Sequence, residues 1–194
     1  MPRQLDDLAW PMVTARLSLR RARVDDADAV LSYRRAPSVA EWIGAPPDDF
    51  QTRFVAPERL DLLLIIERAG VVIGDLMIKI GDVWSPPQLA SRARGVQSEL
   101  GWALRPEATG YGYATEAVEG LLHICFDELG LRRVTASCFA ANTASSRLME
   151  RVGMRREAHT VADALHPSGQ WMDGYSYALL ADEWRSRRQN LHRR

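Results

Sequence analysis

Two glycines one residue apart, Gly110 and Gly112 in the stretch RPEATGYGYATEA (Arg105 to Ala117), stand just ahead of a run with helical spacing. Glycine reaches positive φ without a Cβ penalty, so a loop of this kind can turn its amide N–H groups toward a ligand. A helix that starts directly afterwards adds its own unpaired N–H groups and the positive end of its dipole. The chemistry such a pattern serves is the holding of anionic oxygen, phosphate above all. A P-loop is excluded, because it needs lysine and then serine or threonine after the last glycine, whereas Gly112 is followed by Tyr113 and Ala114. A dinucleotide fingerprint fits poorly: its third glycine is replaced by Thr115, and the strand before the loop comes from a hairpin region rather than the start of a βαβ unit. What fits is a loop that wraps pyrophosphate in main-chain amides alone.

The elements that must position this loop follow from periodicity. Alternation around Leu17 and Leu19 predicts a first strand from Ala15 to Arg21. VDDADAVLSYRRA predicts a helix with aspartates at its start and an apolar stripe of Ala27, Val30 and Leu31, ended or interrupted by Pro37. PPDDFQTRF predicts a short helix across Pro47 to Phe54. Two apolar runs about the turn RAG read as a hairpin, Leu62 to Glu67 and Val71 to Ile80, and 81–96, with two prolines and no period, reads as a long mobile loop. SELGWALRP returns to strand, with Leu100, Trp102 and Leu104 on one face and Glu99, Gly101 and Ala103 on the other. After the glycines, Ala114, Val118, Leu121, Leu122, Cys125 and Leu129 recur at helical spacing up to Gly130. RRVTASCFA reads as a strand, and NTASSRLMERVGM as a helix capped by Asn142, with Leu148 and Val152 inward and Gly153 as its stop. Two strands about a turn at Pro167 to Gly169 complete a mixed α/β order with helices on both faces of a sheet.

Composition bounds the partners. The chain has 194 residues, 46% of them hydrophobic and 26% charged, with formal net charge zero. It is read as one domain over 1–194, with a core from about 15 to 184 and a basic tail, 185–194, that frays into solvent or tethers to an acidic surface. No protein-wide field favours nucleic acid or an anionic membrane, so a partner must be recognised locally. Cys125 and Cys138 lie in apolar patterns without metal-ligand spacing and read as reduced core residues; no metal site is expected. No apolar run approaches membrane-spanning length and no signal peptide is evident, so the expected location is cytoplasmic.

With the loop in view, the sequence resembles the GNAT superfamily of N-acetyltransferases, whose acetyl-coenzyme A loop reads Q/R-x-x-G-x-G/A. Here Glu107 occupies the Gln/Arg position and Gly110 and Gly112 the two small ones. The motifs N-x-A-S-x-R (Asn142 to Arg147) and the closing GM of LMERVGM, with IGDLMI upstream and DGYSYALLADEW downstream, are similar to the branch that acetylates the amino termini of ribosomal proteins. The resemblance spans about Ala15 to Trp184 and implies the GNAT fold, a mostly antiparallel mixed sheet of about seven strands. It implies acetyl-coenzyme A as cosubstrate, held by Leu100, Trp102, the run Ala108, Thr109, Gly110, Tyr111, Gly112, Tyr113, Ala114 and Thr115, and by Asn142, Ser145 and Arg147.

It also implies roles in catalysis. The tyrosine that protonates the departing thiolate in much of the superfamily is replaced here by Met149, and Ser145 takes the acid role as it does in that branch; otherwise Ser145 is a first-turn helix serine. Glu99 is the base candidate, directly or through water, or else a solvated strand glutamate. A bulge near Gly101 would aim the N–H of Leu100 or Trp102 at the thioester carbonyl. Trp42 and Trp84 lie in the regions that shape the acceptor cleft, or else simply cover core. The acceptor is a primary amine, either a protein or peptide N-terminal α-amine or a small molecule such as a polyamine, amino acid or antibiotic. A coenzyme-binding module without catalysis is the reading from another class, and homodimers occur in the resembled family.

Overall fold

The computed structural model describes residues 3–192. Strand β1 (Met12–Val13) and strand β2 (Ser18–Arg21) are followed by four short helices, α1 (Ala27–Arg34), α2 (Pro37–Ile43), α3 (Phe50–Phe54) and α4 (Pro57–Leu60). The hairpin β3 (Leu63–Arg68) and β4 (Val71–Gly81) leads through α5 (Ala90–Ala93) to β5 (Gln97–Leu104). Then come α6 (Tyr113–His123), β6 (Arg133–Phe139), α7 (Thr143–Arg151), β7 (Arg155–Leu165), β8 (Trp171–Leu180) and α8 (Ala181–His192).

Eight strands form one sheet in the order β1-β2-β3-β4-β5-β6-β8-β7, one more than the expected seven. All neighbours are antiparallel except β5 and β6, which run parallel. The unforeseen strand is β1, two residues long, and the expected first strand starts three residues late. Its intended beginning is a turn instead: Leu17 accepts from the Thr14 N–H at 2.9 Å and returns its own N–H to Thr14 Oγ1 at 3.0 Å. Residues with hydroxyl side chains favour such local closure over a ladder.

Both faces of the sheet are covered. One core joins Leu19, Leu64, Leu76 and Leu100 to the inner stripes of α6 and α7 and to Trp184 of α8. The other joins Ile65, Leu63 and Ala103 to Val30 and Tyr33 of α1 and to Phe54 of α3. Burial from both sides is why β3 reads LLII without polar alternation. In the second core Asp75, 1% exposed, accepts hydrogen bonds from Tyr33 Oη and Arg34 Nη2, each at 2.5 Å. Burial, and then the neighbouring carboxylate, push the Tyr33 hydroxyl well above its ordinary pKa, so it stays a donor.

Several helical boundaries correct the sequence reading. Pro37 does not merely stop α1; it opens α2, at a first-turn position where its missing N–H costs nothing. The long loop 81–96 contains α5, closed by a bond from Val83 N–H to the Ala93 carbonyl at 2.9 Å. The helix after the glycines is not regular to its end: Ile124–Glu128 widens into a π-helical turn, with Leu129 N–H bonded back to Ile124, before Gly130 stops it.

The expected frayed tail is ordered through α8. Trp184 is buried, its ring 5.9 Å from that of Phe126, and its Nε1 donates to Asp127 at 3.1 Å. Arg187 donates to the Arg151 carbonyl at 2.6 Å, so one tail arginine is spent on docking rather than held in reserve for a partner. Residues 193 and 194 of that tail lie outside the described residues.

Candidate active site

The site begins where two neighbouring strands part. β5 and β6 pair only through Gln97 with Arg133, Ser98 with Val134 and Glu99 with Thr135, although β5 runs on to Leu104 and β6 to Phe139. Strand alternation gives the direction of the freed backbone. Arg105 N–H bonds to Ile73 of the β4 side, and the Val96 carbonyl accepts from Arg132 of the β6 side. Odd-numbered β5 residues therefore direct their main-chain groups at β4, and even-numbered ones at β6. Beyond Glu99 this turns the N–H of Trp102 into the gap, where no strand meets it. The expected bulge is absent, since β4 and β5 keep continuous register from Gly74–Leu104 to Gly81–Gln97. Divergence of the strands frees the amide that a bulge was expected to free.

Another part of the site is built by the glycine loop and α6. Gly110 (φ 84) and Gly112 (φ 80) both occupy the left-handed region that favours glycine. Gly112 is the N-cap of α6 and offers no side-chain cap, which leaves the N–H groups of Tyr113, Ala114 and Thr115 available to an anion. The loop is held from behind by Arg16, which donates Nη1 to the Tyr111 carbonyl at 3.0 Å and Nε to Glu116 at 2.6 Å. Thr14 Oγ1 adds a bond to Glu116 at 2.5 Å. Burial raises the Glu116 carboxyl, but the bonds from Thr14 and Arg16 outweigh it and hold the group below its ordinary pKa. Arg151 Nη1 donates to Thr115 Oγ1 at 3.0 Å, bringing a guanidinium to the helix start.

On the other wall, Asn142 caps α7, its Oδ1 accepting from Ser145 N–H at 3.0 Å. The capping role and a place in the cleft coincide. Ser146 spends its hydroxyl on the Thr143 carbonyl at 3.2 Å, whereas the Ser145 hydroxyl makes no hydrogen bond among the described residues. The sequence alone could not tell which of these adjacent serines is committed.

These groups line one cleft of about 920 Å³. It brings together Leu100, Trp102, Ala108, Thr109, Gly110, Gly112, Tyr113, Ala114, Thr115, Asn142, Ser145 and Arg147, all expected from sequence. Two expected residues are outside its lining. Tyr111 is exposed, its ring 5.7 Å from that of Tyr113. Glu99 is exposed at the last paired position, one residue short of the open part of β5. Tyr113 lines the cleft, but its ring lies under Arg16 at 4.7 Å and Arg68 at 5.2 Å, so the backbone is what it has to offer a phosphate.

Trp42 of α2 does reach the cleft, while Trp84 is 91% exposed and neither it nor the rest of 81–96 lines it. Cys125 is a core residue as expected, but Cys138 is half-buried in the cleft wall. Burial pushes the Cys138 thiol up to about 11, which keeps it protonated near neutral pH and a poor nucleophile. The sequence reading missed Val39 and Ile43 of α2, Phe139, Tyr175 and Asp163. Pro37 followed by an apolar spacing was the available signal for the α2 wall.

Two substitutions test this geometry. Gly112→Ala keeps the space but strains a left-handed position by roughly 1 to 2 kcal/mol, and about a tenfold loss of coenzyme A affinity is expected by calorimetry. Asn142→Ala removes the α7 cap, and a loss of about 1 kcal/mol is expected. Thermal denaturation should show it as a fall of about 2 to 4 °C.

An uncapped helix start, left-handed glycines and an unpaired strand amide thus meet in one cleft. The sequence profile of the Acetyltransferase (GNAT) domain matches residues 16–155, and the chain belongs to that family. An uncharacterized N-acetyltransferase of Bacillus subtilis, YnaD, is 30% identical over 89% of this chain and 98% of its own length. The crystal structure of a GNAT-family acetyltransferase from Bacillus anthracis superposes with a TM-score of 0.74 at 27% identity, covering 89% of this chain and 99% of that one. The RimL ribosomal L7/L12 alpha-N-protein acetyltransferase, solved with coenzyme A, shares the fold with a TM-score of 0.65 at 16% identity, covering 89% and 98% of the two chains. The protein is an acetyl-coenzyme A dependent acyltransferase.

Proposed function

We propose that the chain transfers an acetyl group to a primary amine by direct attack in a ternary complex, with a protein or peptide α-amine as the leading acceptor and a small-molecule amine as the second. The observation that carries this reading is the parted β5 and β6. It leaves the Trp102 N–H unpaired in a cleft that the glycine loop, α2 and the uncommitted Ser145 also line, which supports the reading.

The cradle of Gly110, Gly112 and the α6 start, with Arg147 and Arg151, would hold the coenzyme phosphates. Acetyl-coenzyme A supplies an acetyl group activated as a thioester. The Trp102 amide would stabilise charge on the carbonyl oxygen, and Ser145 would give its proton to the sulfur as the carbon–sulfur bond breaks and the carbon–nitrogen bond forms. Glu99, exposed and outside the lining, would take the acceptor's proton through water. An α-amine suits so solvated a base, since its pKa is about 7.7 to 8.0 against about 10.4 for an alkyl amine.

Calorimetry with coenzyme A, followed by thiol release from acetyl-coenzyme A over a panel of amines and N-terminal peptides, tests the reading. Release with peptides and not with alkyl amines supports the leading acceptor. Release with alkyl amines alone selects the second, and tight coenzyme binding with no release across the panel would replace both with a binding module.

A further inference from the structure

Among the residues that line the cleft, one is a carboxylate. Asp163 sits on β7 where the pairing with β8 slips between Thr160 and Ala164. Ala162, at φ 49, carries that irregularity, and its N–H donates to Asp173 Oδ1 at 3.0 Å. The second oxygen of Asp173 faces His159 Nε2 at 2.7 Å, so Asp173 is fully engaged in holding the bulge. Asp163 has no hydrogen bond or ion pair among the described residues. Its carboxylate lies over Gly174, where an added Cβ would stand 3.0 Å from Asp163 Oδ1 and 2.8 Å from Thr160 Oγ1. A side chain at 174 would displace the very group that the bulge presents.

Asp163 is exposed beside the Thr160 hydroxyl, and across β8 from it the wall is aromatic, with the His166 ring 5.0 Å from Phe139 and 5.7 Å from Trp42. Gly174 pairs with Phe139 across the β6–β8 ladder, and the Phe139 ring is 6.4 Å from Trp42 of α2. Val39 and Ile43, also on α2, complete this wall. One carboxylate beside aromatic and aliphatic surface matches an ammonium with an apolar neighbour. It does not match a polycation, whose further charges would find no second carboxylate in the lining and would share the cleft with Arg147 and Arg151.

We propose that Asp163 draws in the acceptor as its ammonium, which gives its proton through water to Glu99 before the free amine attacks, and that the acceptor class is a singly charged amine next to an apolar group, as in a peptide whose first residue is apolar. Polyamines and aminoglycosides are rejected. This rests on the acetyltransferase reading above and adds the acceptor's charge and shape to it.

The test is an NMR titration of the coenzyme A-loaded protein, following the indole resonances, with 3-methylbutylamine, its neutral isostere 3-methylbutanol, and spermidine. A charge-assisted bond to Asp163 should make the amine bind on the order of tenfold tighter than the alcohol, and Asp163→Asn should abolish that preference while coenzyme A affinity stays unchanged. Spermidine should bind more weakly than the monoamine. Equal binding of amine and alcohol, an unchanged preference in Asp163→Asn, or tighter binding of spermidine would each overturn the proposal while leaving coenzyme binding intact. Failure of coenzyme A itself to bind would instead remove the acetyltransferase reading, and this proposal with it.

Discussion

Replacing Ser145 by alanine is expected to lower turnover about a hundredfold while coenzyme A affinity stays within about a factor of two. The separation arises because the two polar groups of Ser145 do different things. Its main-chain N–H is the partner of the Asn142 cap and survives the substitution, so α7 keeps its start. Its hydroxyl is free among the described residues and lines the cleft, so only the group proposed to protonate sulfur is lost. The expectation sits at the lower end of general-acid effects because a thiol, with pKa near 8.5, is already a tolerable leaving group near neutral pH. Ser146→Ala is the companion: its hydroxyl is tied to Thr143, it lies outside the cleft lining, and turnover should not change. Steady-state thiol release with an accepted amine, paired with calorimetry, reads both. Equal turnover in the native protein and Ser145→Ala would remove the acid role and leave the sulfur to be protonated by water.

Replacing Asp75 by alanine is expected to cost about 3 kcal/mol of stability, the low end for breaking a buried pair. The carboxylate is 1% exposed and serves Tyr33 and Arg34 together, so its removal leaves a hydroxyl and a guanidinium without their shared acceptor. Arg34 retains 17% side-chain exposure, which gives its charge a partial route to water and sets the low end rather than the high. Urea denaturation should show the loss directly, and the thermal midpoint should fall by roughly 6 to 12 °C. A loss below about 1 kcal/mol would mean that Arg34 rehydrates completely. The effect is not remote from the cleft: Asp75 pairs in register with Ala103, which lines it.

Legibility in the sequence tracks the range of the interactions. The hairpin β3–β4, strand β5 and helix α7 are readable because their apolar spacing, RAG turn, Asn142 cap and Gly153 stop are local. The same holds for the phosphate cradle, where glycine φ and a helix start lie within eight consecutive residues. Features that depend on distant partners are not readable in this way. The α8 segment resembles a basic tail because its helical spacing buries chiefly one residue, Trp184, against a helix more than fifty residues earlier. Asp163 gives no signal because a bulge and a glycine on the next strand aim it. Glu99 looks well placed by face alternation, yet alternation says nothing of where β5 and β6 separate, and that point leaves it outside the cleft. The α2 wall is hidden by the double meaning of Pro37, a residue that ends one helix as readily as it begins the next.

The parting of β5 from β6 makes the sheet two leaves on a hinge of only three rungs. Open strand edges are templates for any partner with amide-like donors and acceptors. A cosubstrate lying between the leaves would therefore act as a cross-brace, taking bonds that the ladder leaves unmade, and the loaded protein should be the stiffer one.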